Sequence, residues 1–390
     1  MQHGIITTTL LCLLSALGTG LAHAQLGDVT YALTYLGNPT QGQWPDNTPQ
    51  VFARNMWVIQ EMEGRFYLGS GDVASNPGPV YIRIFTPATG MFSIETVDGV
   101  DSVLEEELSQ FPIPGGNLIT LGIDPQESWD WGNYYARAPI VGAWHKYRNI
   151  PNGMHVLDMT LDLYTPKLIV AGSMVAPSSG VQYSWDGATW IDVTCNGGAC
   201  PAGRYYRFFE LAGVLYVQAR DDLAITRIYE YVSATNNLLE LSSAVTAVMM
   251  PNNARRLSDN QPFASGIVYL AGSIDAGFHP EPAYLMYATG MGTAYNIALP
   301  VAGRVPRDIL VIGNTLYLLT NIPNGDFWTG VWKTTDLVNW TQVMAFKTLP
   351  ASGFARSFTY DNGYFYFGFG TYTTPLSNAS GWLTRIAYTP

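Results

Sequence analysis

The segment FYFGFG, Phe365–Gly370, decides the fold, because six other stretches of the chain are weaker copies of it. RFYLGSG reaches the equivalent residue at Gly69, NLITLGI at Gly122, KLIVAGS at Gly172, VLYVQAR at Ala219, IVYLAGS at Gly272 and TLYLLTN at Thr320, and FYFGFG itself at Gly368. The separations are 53, 50, 47, 53, 48 and 48 residues. A period near fifty, built from short β-rich runs that end on turn-tolerant residues, is the period of propeller blades. Each unit parses as an inner strand, a tight turn, the anchor strand just quoted, a loop, a third strand, a turn and an outer strand. In the first unit these strands are Asn55–Met62, Arg65–Gly71, Val80–Thr86 and Met91–Val97. The expected fold is therefore all-β, a seven-bladed β-propeller of four-stranded antiparallel blades.

Turn chemistry repeats with the strands. Gly213, Gly313-Asn314 and Asn362-Gly363 stand between apolar runs, where Asn-Gly and Gly-Asn accept the positive φ of hairpin turns. Asp101–Leu108 (DSVLEEEL) reads as one short helical turn in a connection. Leu238–Met250 fits a strand and a helix equally by periodicity and is read as an outer strand plus loop. The last blade, Arg356–Tyr360, Tyr364–Gly370 and Trp382–Tyr388, stops one strand short, while Val29–Leu33 is a strand lying before the first complete blade. The amino-terminal strand is expected to complete the final blade and close the ring, which removes exposed sheet edges.

Residues 1–24 read as a signal peptide. Ile5–Leu21 is apolar, and Ala22-His23-Ala24 gives the small-x-small pattern before a cleavage at Gln25. The run is too short to predict a membrane span. Residues 25–390 carry no linker or change of composition and are read as one propeller; the 39 Gly, 24 Pro and 13% aromatic residues of the whole sequence suit many short strands and turns. The expected address is outside the cell or in a periplasm. There Cys195 and Cys200, in CNGGAC, are an even pair in an oxidising compartment and are expected to bridge. No second Cys or His pair completes a metal site with them. Asn339 and Asn378 open N-x-S/T sequons.

Net charge is −11, which repels nucleic acid and anionic membranes, so neither is an expected partner. Four of the nineteen basic residues are Lys. The rest are Arg, whose fork grips carboxylate, sulfate or phosphate with two hydrogen bonds.

Two turns between third and outer strands share a pattern. SWDGATW, Ser184–Trp190, and TTDLVNW, Thr334–Trp340, each place a hydroxyl residue two before an Asp and a Trp four after it. They resemble the Asp-box, or BNR repeat, S-x-D-x-G-x-T-W, of sialidases and other secreted propellers. The first copy lacks one residue between Asp186 and Gly187, and the second has no Gly. In that family the boxes lie at the blade periphery, away from the catalytic face. The resemblance therefore implies fold only, with Asp186, Asp336, Trp190 and Trp340 holding turns.

Ligand-binding residues of a propeller come from equivalent positions of different blades. Arg recurs near the start of the inner strand: Arg54, Arg204 with Arg207, Arg255 with Arg256, Arg304 with Arg307, and Arg356, with His155 at the comparable place in the third unit. Pointing inward, they would make a cationic ring for a uronate, sialate, sulfate or phosphate. Paired instead with Asp72, Asp124, Asp221, Asp222 or Asp275, they would serve packing between blades. The loop Asp124–Tyr135 offers Trp129, Trp131 and Tyr134 as a sugar-stacking platform, or as aromatic packing over the channel. His145, His155 and His279, with Asp72, Asp124 and Asp275, are the candidates for proton transfer in a polysaccharide lyase or glycoside hydrolase. No nucleophile elbow, phosphate loop, zinc-binding helix or haem motif is present, so no cofactor or metal is expected. The functional expectation is a secreted propeller that binds a glycan or other anionic ligand on its loop face. The alternatives are an enzyme acting on an acidic glycan and a structural or protein-interaction propeller.

Overall fold

The computed structural model describes residues 33–44, 53–71, 80–95, 109–110, 118–122, 130–137, 143–174, 178–274, 280–322, 328–347, 353–371 and 380–389. They form seven sheets in ring order, each running from an inner to an outer strand. The protein is a seven-bladed β-propeller. In blade 1 the strands are Val58–Met62, Arg65–Gly69, Ile82–Thr86 and Met91–Glu95, close to the bounds expected from sequence.

The repeat is visible because of where the second strand sits. It is flanked by strands within its own blade and covered by the neighbouring blades on both faces, so it reads as an unbroken apolar run. Tyr364–Gly370 is buried at every residue after the first. The core is accordingly shared: Tyr317, Leu319 and Phe346 of blade 6 pack with Phe358, Phe365 and Phe367 of blade 7. The hairpin turns also match expectation, with Asn362 at φ 45° and Gly363 at φ 85°.

Blade 7 is completed by the amino-terminal segment. Its order is Phe354–Asp361, Tyr364–Gly370, Leu383–Ala387 and Thr34–Gly37, the last pair antiparallel with Thr34 opposite Arg385 and Gly37 opposite Leu383. The closing strand is thus Thr34–Gly37 rather than Val29–Leu33, whose residues 29–32 lie outside the described set. Packing sets the shift. Leu36 joins the cluster of Met56, Phe66 and Leu383, and Gly37 lies so near Phe92 that a Cβ would sit 2.6 Å from its ring.

A second correction falls at Leu238–Met250. The outer strand of blade 4 is Asn237–Glu240, and an α-helix, Ser243–Met249, follows instead of a loop. Ser242 caps it, its side chain accepting from the Val245 N–H. Met249 and Met250 are buried between blades 4 and 5, and Tyr269 Oη donates to the Met249 carbonyl at 2.8 Å. The helical turn expected at Asp101–Leu108 lies outside the described residues.

Cys195 and Cys200 are joined by a disulfide. Thr194–Cys195 runs parallel to Asn237–Glu240, adding a fifth strand that covers the outer edge of blade 4. Because the enclosed loop is so short, the loss of unfolded-state entropy is small. Replacing both cysteines by Ser is expected to lower stability by about 2 kcal/mol, the chain-entropy value for so small a ring. Urea unfolding of the two forms checks it, and a loss above about 4 kcal/mol would show that the bridge does more than close its own loop.

The two Asp turns have one geometry. Asp186 Oδ1 accepts from the N–H groups of Ala188 and Thr189, each at 2.8 Å. Asp336 Oδ1 accepts from those of Val338 and Asn339, at 3.0 and 2.8 Å. Ser184 and Thr334 donate to these carboxylates at 3.0 Å. The Thr189 and Ala188 amides and the Ser184 hydroxyl hold the Asp186 carboxyl down to about 2. Trp190 closes the first turn, 8% exposed, with Nε1 donating to Asn149 Oδ1 at 3.1 Å.

Candidate functional site in the central channel

The inner strands carry the site, and one irregularity organises them. Blade 3 slips once early, between Gly153 and His155, and in blades 3 to 7 the pairing of inner and second strands slips at one equivalent place: between Val156 and Asp158, Tyr205 and Arg207, Leu257 and Asp259, Pro306 and Asp308, and Ala355 and Ser357. Each equivalent slip is a β-bulge, which turns an extra residue out of the ladder and re-aims its neighbour. The extra residues are Leu157, Tyr206, Ser258, Arg307 and Arg356. The residues after them are Asp158, Arg207, Asp259, Asp308 and Ser357.

The aspartates clamp one blade to the next. Asp158 Oδ1 accepts from the Met159 N–H at 2.8 Å and Oδ2 from the Phe208 N–H at 2.6 Å. Asp308 does the same with Ile309 and Phe358, both at 2.8 Å. Asp259 accepts from the N–H groups of Asn260 and Ile309. Ser357 Oγ donates to the Met56 carbonyl at 2.9 Å and so ties blade 7 to blade 1. A bulge exposes backbone N–H groups, and a short acceptor side chain at its edge satisfies them.

Seven of the bulge residues line a cavity of about 620 Å³: Asp158, Arg207, Ser258, Asp259, Arg307, Asp308 and Arg356. Asp259 and Asp308 are half-buried against it and hydrogen-bond to each other. Burial, then the charge of Asp259, pushes the Asp308 carboxyl well above the usual range. Burial also raises Asp259, against the bond from Asp308 and the charge of Arg207. Two carboxyls in contact do not both ionise readily.

Arg307 and Arg356 occupy the bulges of adjacent blades and converge on Glu281. Arg307 Nη1 lies 3.1 Å from Glu281 Oε2, and Arg356 Nη2 lies 3.6 Å from Oε1. Arg307 Nε also donates to Asn321 Oδ1 at 2.6 Å. The Arg356 guanidinium stacks over Trp57 at 4.1 Å, and both guanidiniums approach the Phe354 ring, at 4.9 and 5.1 Å. Burial, then the positive charge of Arg356, lowers Arg307 to about 9, with Glu281 opposing.

Of the eight arginines read as one ring, Arg207, Arg307 and Arg356 line this cavity, while Arg54, Arg204, Arg255, Arg256 and Arg304 are not on its wall. Arg255 and Arg304 stand three residues before their bulges, Arg204 two before, and Arg356 on its own. Arg54 is wholly buried. Arg255 Nε donates to Tyr206 Oη at 3.3 Å, and Arg304 Nη1 donates to Thr320 Oγ1 at 3.3 Å, with burial alone lowering Arg304 to about 10. Asp221, one of the acids considered for pairing, holds Arg227 of its own blade at 2.7 Å.

Tyr134 is packing rather than platform. It is 2% exposed, stacks on Tyr147 at 4.8 Å and donates its hydroxyl to the Gly187 carbonyl at 2.8 Å. Trp131 is exposed where it opens the third strand of blade 2. His145 is exposed at the start of that blade's outer strand. His155 faces Ser173 near the start of the blade 3 inner strand. Trp129, Asp72, Asp124, Asp275 and His279 lie outside the described residues, as does the Asn378 sequon, while Asn339 is exposed in its turn. Among the described residues no group of His, Cys, Asp and Glu could hold a metal ion, and no helix is long and apolar enough to cross a membrane. The three clamping aspartates escaped the sequence reading. Their signal is an Asp whose partner amide, in Phe208, Ile309 or Phe358, comes 50 residues later.

No model of a protein family matches this chain, and no curated protein matches it. Solved structures do match in fold. One is the computationally designed Ika8 protein, at TM-score 0.51 and 9% identity over 88% of this chain and 98% of that one. Another is the β-propeller domain of Cps50 (Swd1) from Myceliophteria thermophila, at TM-score 0.50 and 8% identity over 86% and 97%. At such identity the likeness concerns the propeller fold alone.

Proposed function

We propose that this is a secreted binding propeller that takes an anionic group, of the kind an acidic glycan carries, into its central channel at Arg307 and Arg356. The observation that carries the reading is the pairing of two guanidiniums, Arg307 and Arg356, on the wall of one cavity with the single carboxylate of Glu281 between them. A ligand anion there meets two cationic forks and takes bidentate hydrogen bonds. Secretion draws its support from the signal-like residues 1–24 and from the Cys195–Cys200 disulfide, which suits an oxidising compartment. The Asp-box likeness of the two turns agrees with a secreted propeller and assigns no activity. Glycoside hydrolysis sets its two carboxyls about 5 Å or more apart. Asp259 and Asp308 are in hydrogen-bond contact and tied to backbone amides, which favours binding over catalysis at this pair.

The test is calorimetric titration with tri-galacturonate against a neutral trisaccharide. Arg356→Gln is expected to weaken tri-galacturonate binding by about 10- to 150-fold, the value of one charge-assisted bond, with the melting temperature as a folding control. Binding should also weaken as salt rises. Equal affinity for both sugars, without salt dependence, would overturn the reading. Release of reducing ends or unsaturated uronate in the same samples would move the conclusion to an enzyme.

A further inference from the structure

We infer that the channel takes its anion together with a proton, which the Asp259–Asp308 pair receives. This rests on the reading of the channel as an anion site. A hydrogen bond between two carboxyls requires one O–H donor, so contact between Asp259 and Asp308 fixes a place for one proton. Their remaining contacts are with backbone donors: Ile309 and Phe358 for Asp308, Asn260 and Ile309 for Asp259. No N–H in that set can take the place of the shared proton.

Charged groups face the pair from each neighbouring strand. Arg207 comes from blade 4, Asp158 from blade 3, Arg307 from the Asp308 strand itself, Arg356 from blade 7, and Glu61 from blade 1, all on the wall of the same cavity. Glu281, on the third strand of blade 5, is held by Arg307 and Arg356. The cavity is therefore already rich in carboxylates. An anion added at Arg307 and Arg356 raises the cost of ionising the pair, and by linkage a proton on the pair tightens the anion. Above the pH at which the free pair loses its proton, each bound anion draws back up to one proton, and affinity falls by up to tenfold per pH unit.

The experiment is titration of the full-length mature protein with tri-galacturonate at pH 6, 7 and 8. Bis-Tris and Tris are compared, since their ionisation heats differ and neither offers an anion to the site. A buffer-dependent heat giving uptake between zero and one proton, lost in Asp308→Asn or Asp259→Asn while binding persists, is the expected result. The ligand's own carboxyls stay ionised across this range, so they do not contribute. Binding with the same heat in both buffers at every pH overturns the proton linkage and leaves the anion site standing. Absence of binding at every pH overturns both. Should both Asn variants fail to fold, the buffer comparison on the unaltered protein decides the matter.

Discussion

Lys167→Met is expected to lower the stability of this propeller by about 3–5 kcal/mol, the cost of breaking a buried ion pair from one side. Lys167 is 1% exposed and closes a polar knot between blades 3 and 4. Its ammonium lies 2.9 Å from Asp162 Oδ2 and donates to Tyr231 Oη at 3.1 Å, the Ser233 carbonyl at 3.0 Å and Asn236 Oδ1 at 2.5 Å. The rings of Tyr183, Trp185 and Tyr231 surround it at 5.3 to 5.4 Å. An ammonium has three protons, so each is used and the remaining surface meets aromatic faces. Burial pushes the Asp162 carboxyl up. Hydrogen bonds from Ser233, Thr165, the Tyr164 amide and Lys167 win, and hold it below its ordinary value. A carboxyl depressed in the folded state adds stability above its ordinary value of 3.8, and that stability disappears as pH falls through the folded value. The stability of Lys167→Met should therefore depend less on acid than that of the parent. Urea unfolding at pH 7 and pH 3 measures both effects. The double variant with Asp162→Asn should recover much of the loss, because no uncompensated charge remains. A loss below 1 kcal/mol in the single variant would mean that the knot is not dry.

How far the sequence could be read depends on the strand. The second strand is covered on both faces, so FYFGFG and its copies announce the blade count through an unbroken run. The inner strand faces a polar channel on one side and carries a bulge, which puts every later residue one step out of phase. Counting back from the anchor strand therefore grouped Arg204, Arg255, Arg304 and Arg356, although the ladder puts them in three different registers. Arg207 and Arg307, read as ring members alongside them, are the residues that reach the cavity with Arg356. Tyr134 misled for a different reason. Its aromatic setting, WDWGNYY, reads as a loop, whereas Trp131–Arg137 is a strand whose side chains alternate into the blade 2–blade 3 interface. The helix at Ser243–Met249 had a usable signal in its Ser242 cap, but the apolar run around it fits both periods.

A chain that begins at Asn38 is expected to lose about 3–5 kcal/mol, because the ring is closed by only four residues, Thr34–Gly37. Leu36 packs among Met56, Phe66 and Leu383, and Tyr35 meets the Trp382 ring edge-on at 5.5 Å. An apolar side chain of this size, partly buried, contributes ~1–2 kcal/mol, and each backbone bond to Leu383–Arg385 contributes ~1 kcal/mol. Contacts beyond the strand survive the truncation. Asn38 Nδ2 donates to the Ser380 carbonyl at 2.9 Å, and Ser380 Oγ donates to Asn55 Oδ1 at 2.9 Å. Asn55 in turn accepts from the Thr371 N–H at 2.8 Å and donates to the Thr371 carbonyl at 3.1 Å. Blades 7 and 1 should therefore stay joined at the channel side while the outer edge of blade 7 opens. Leu383–Ala387 then presents unpaired N–H and C=O groups, so the shortened chain should self-associate as well as melt earlier. A synthetic peptide spanning residues 33–38 should restore part of the lost stability by re-forming the ladder, in the manner of strand addition. Melting curves and light scattering with and without the peptide separate these effects. Equal melting temperatures for the full and shortened chains would show that blade 7 does not depend on its borrowed strand.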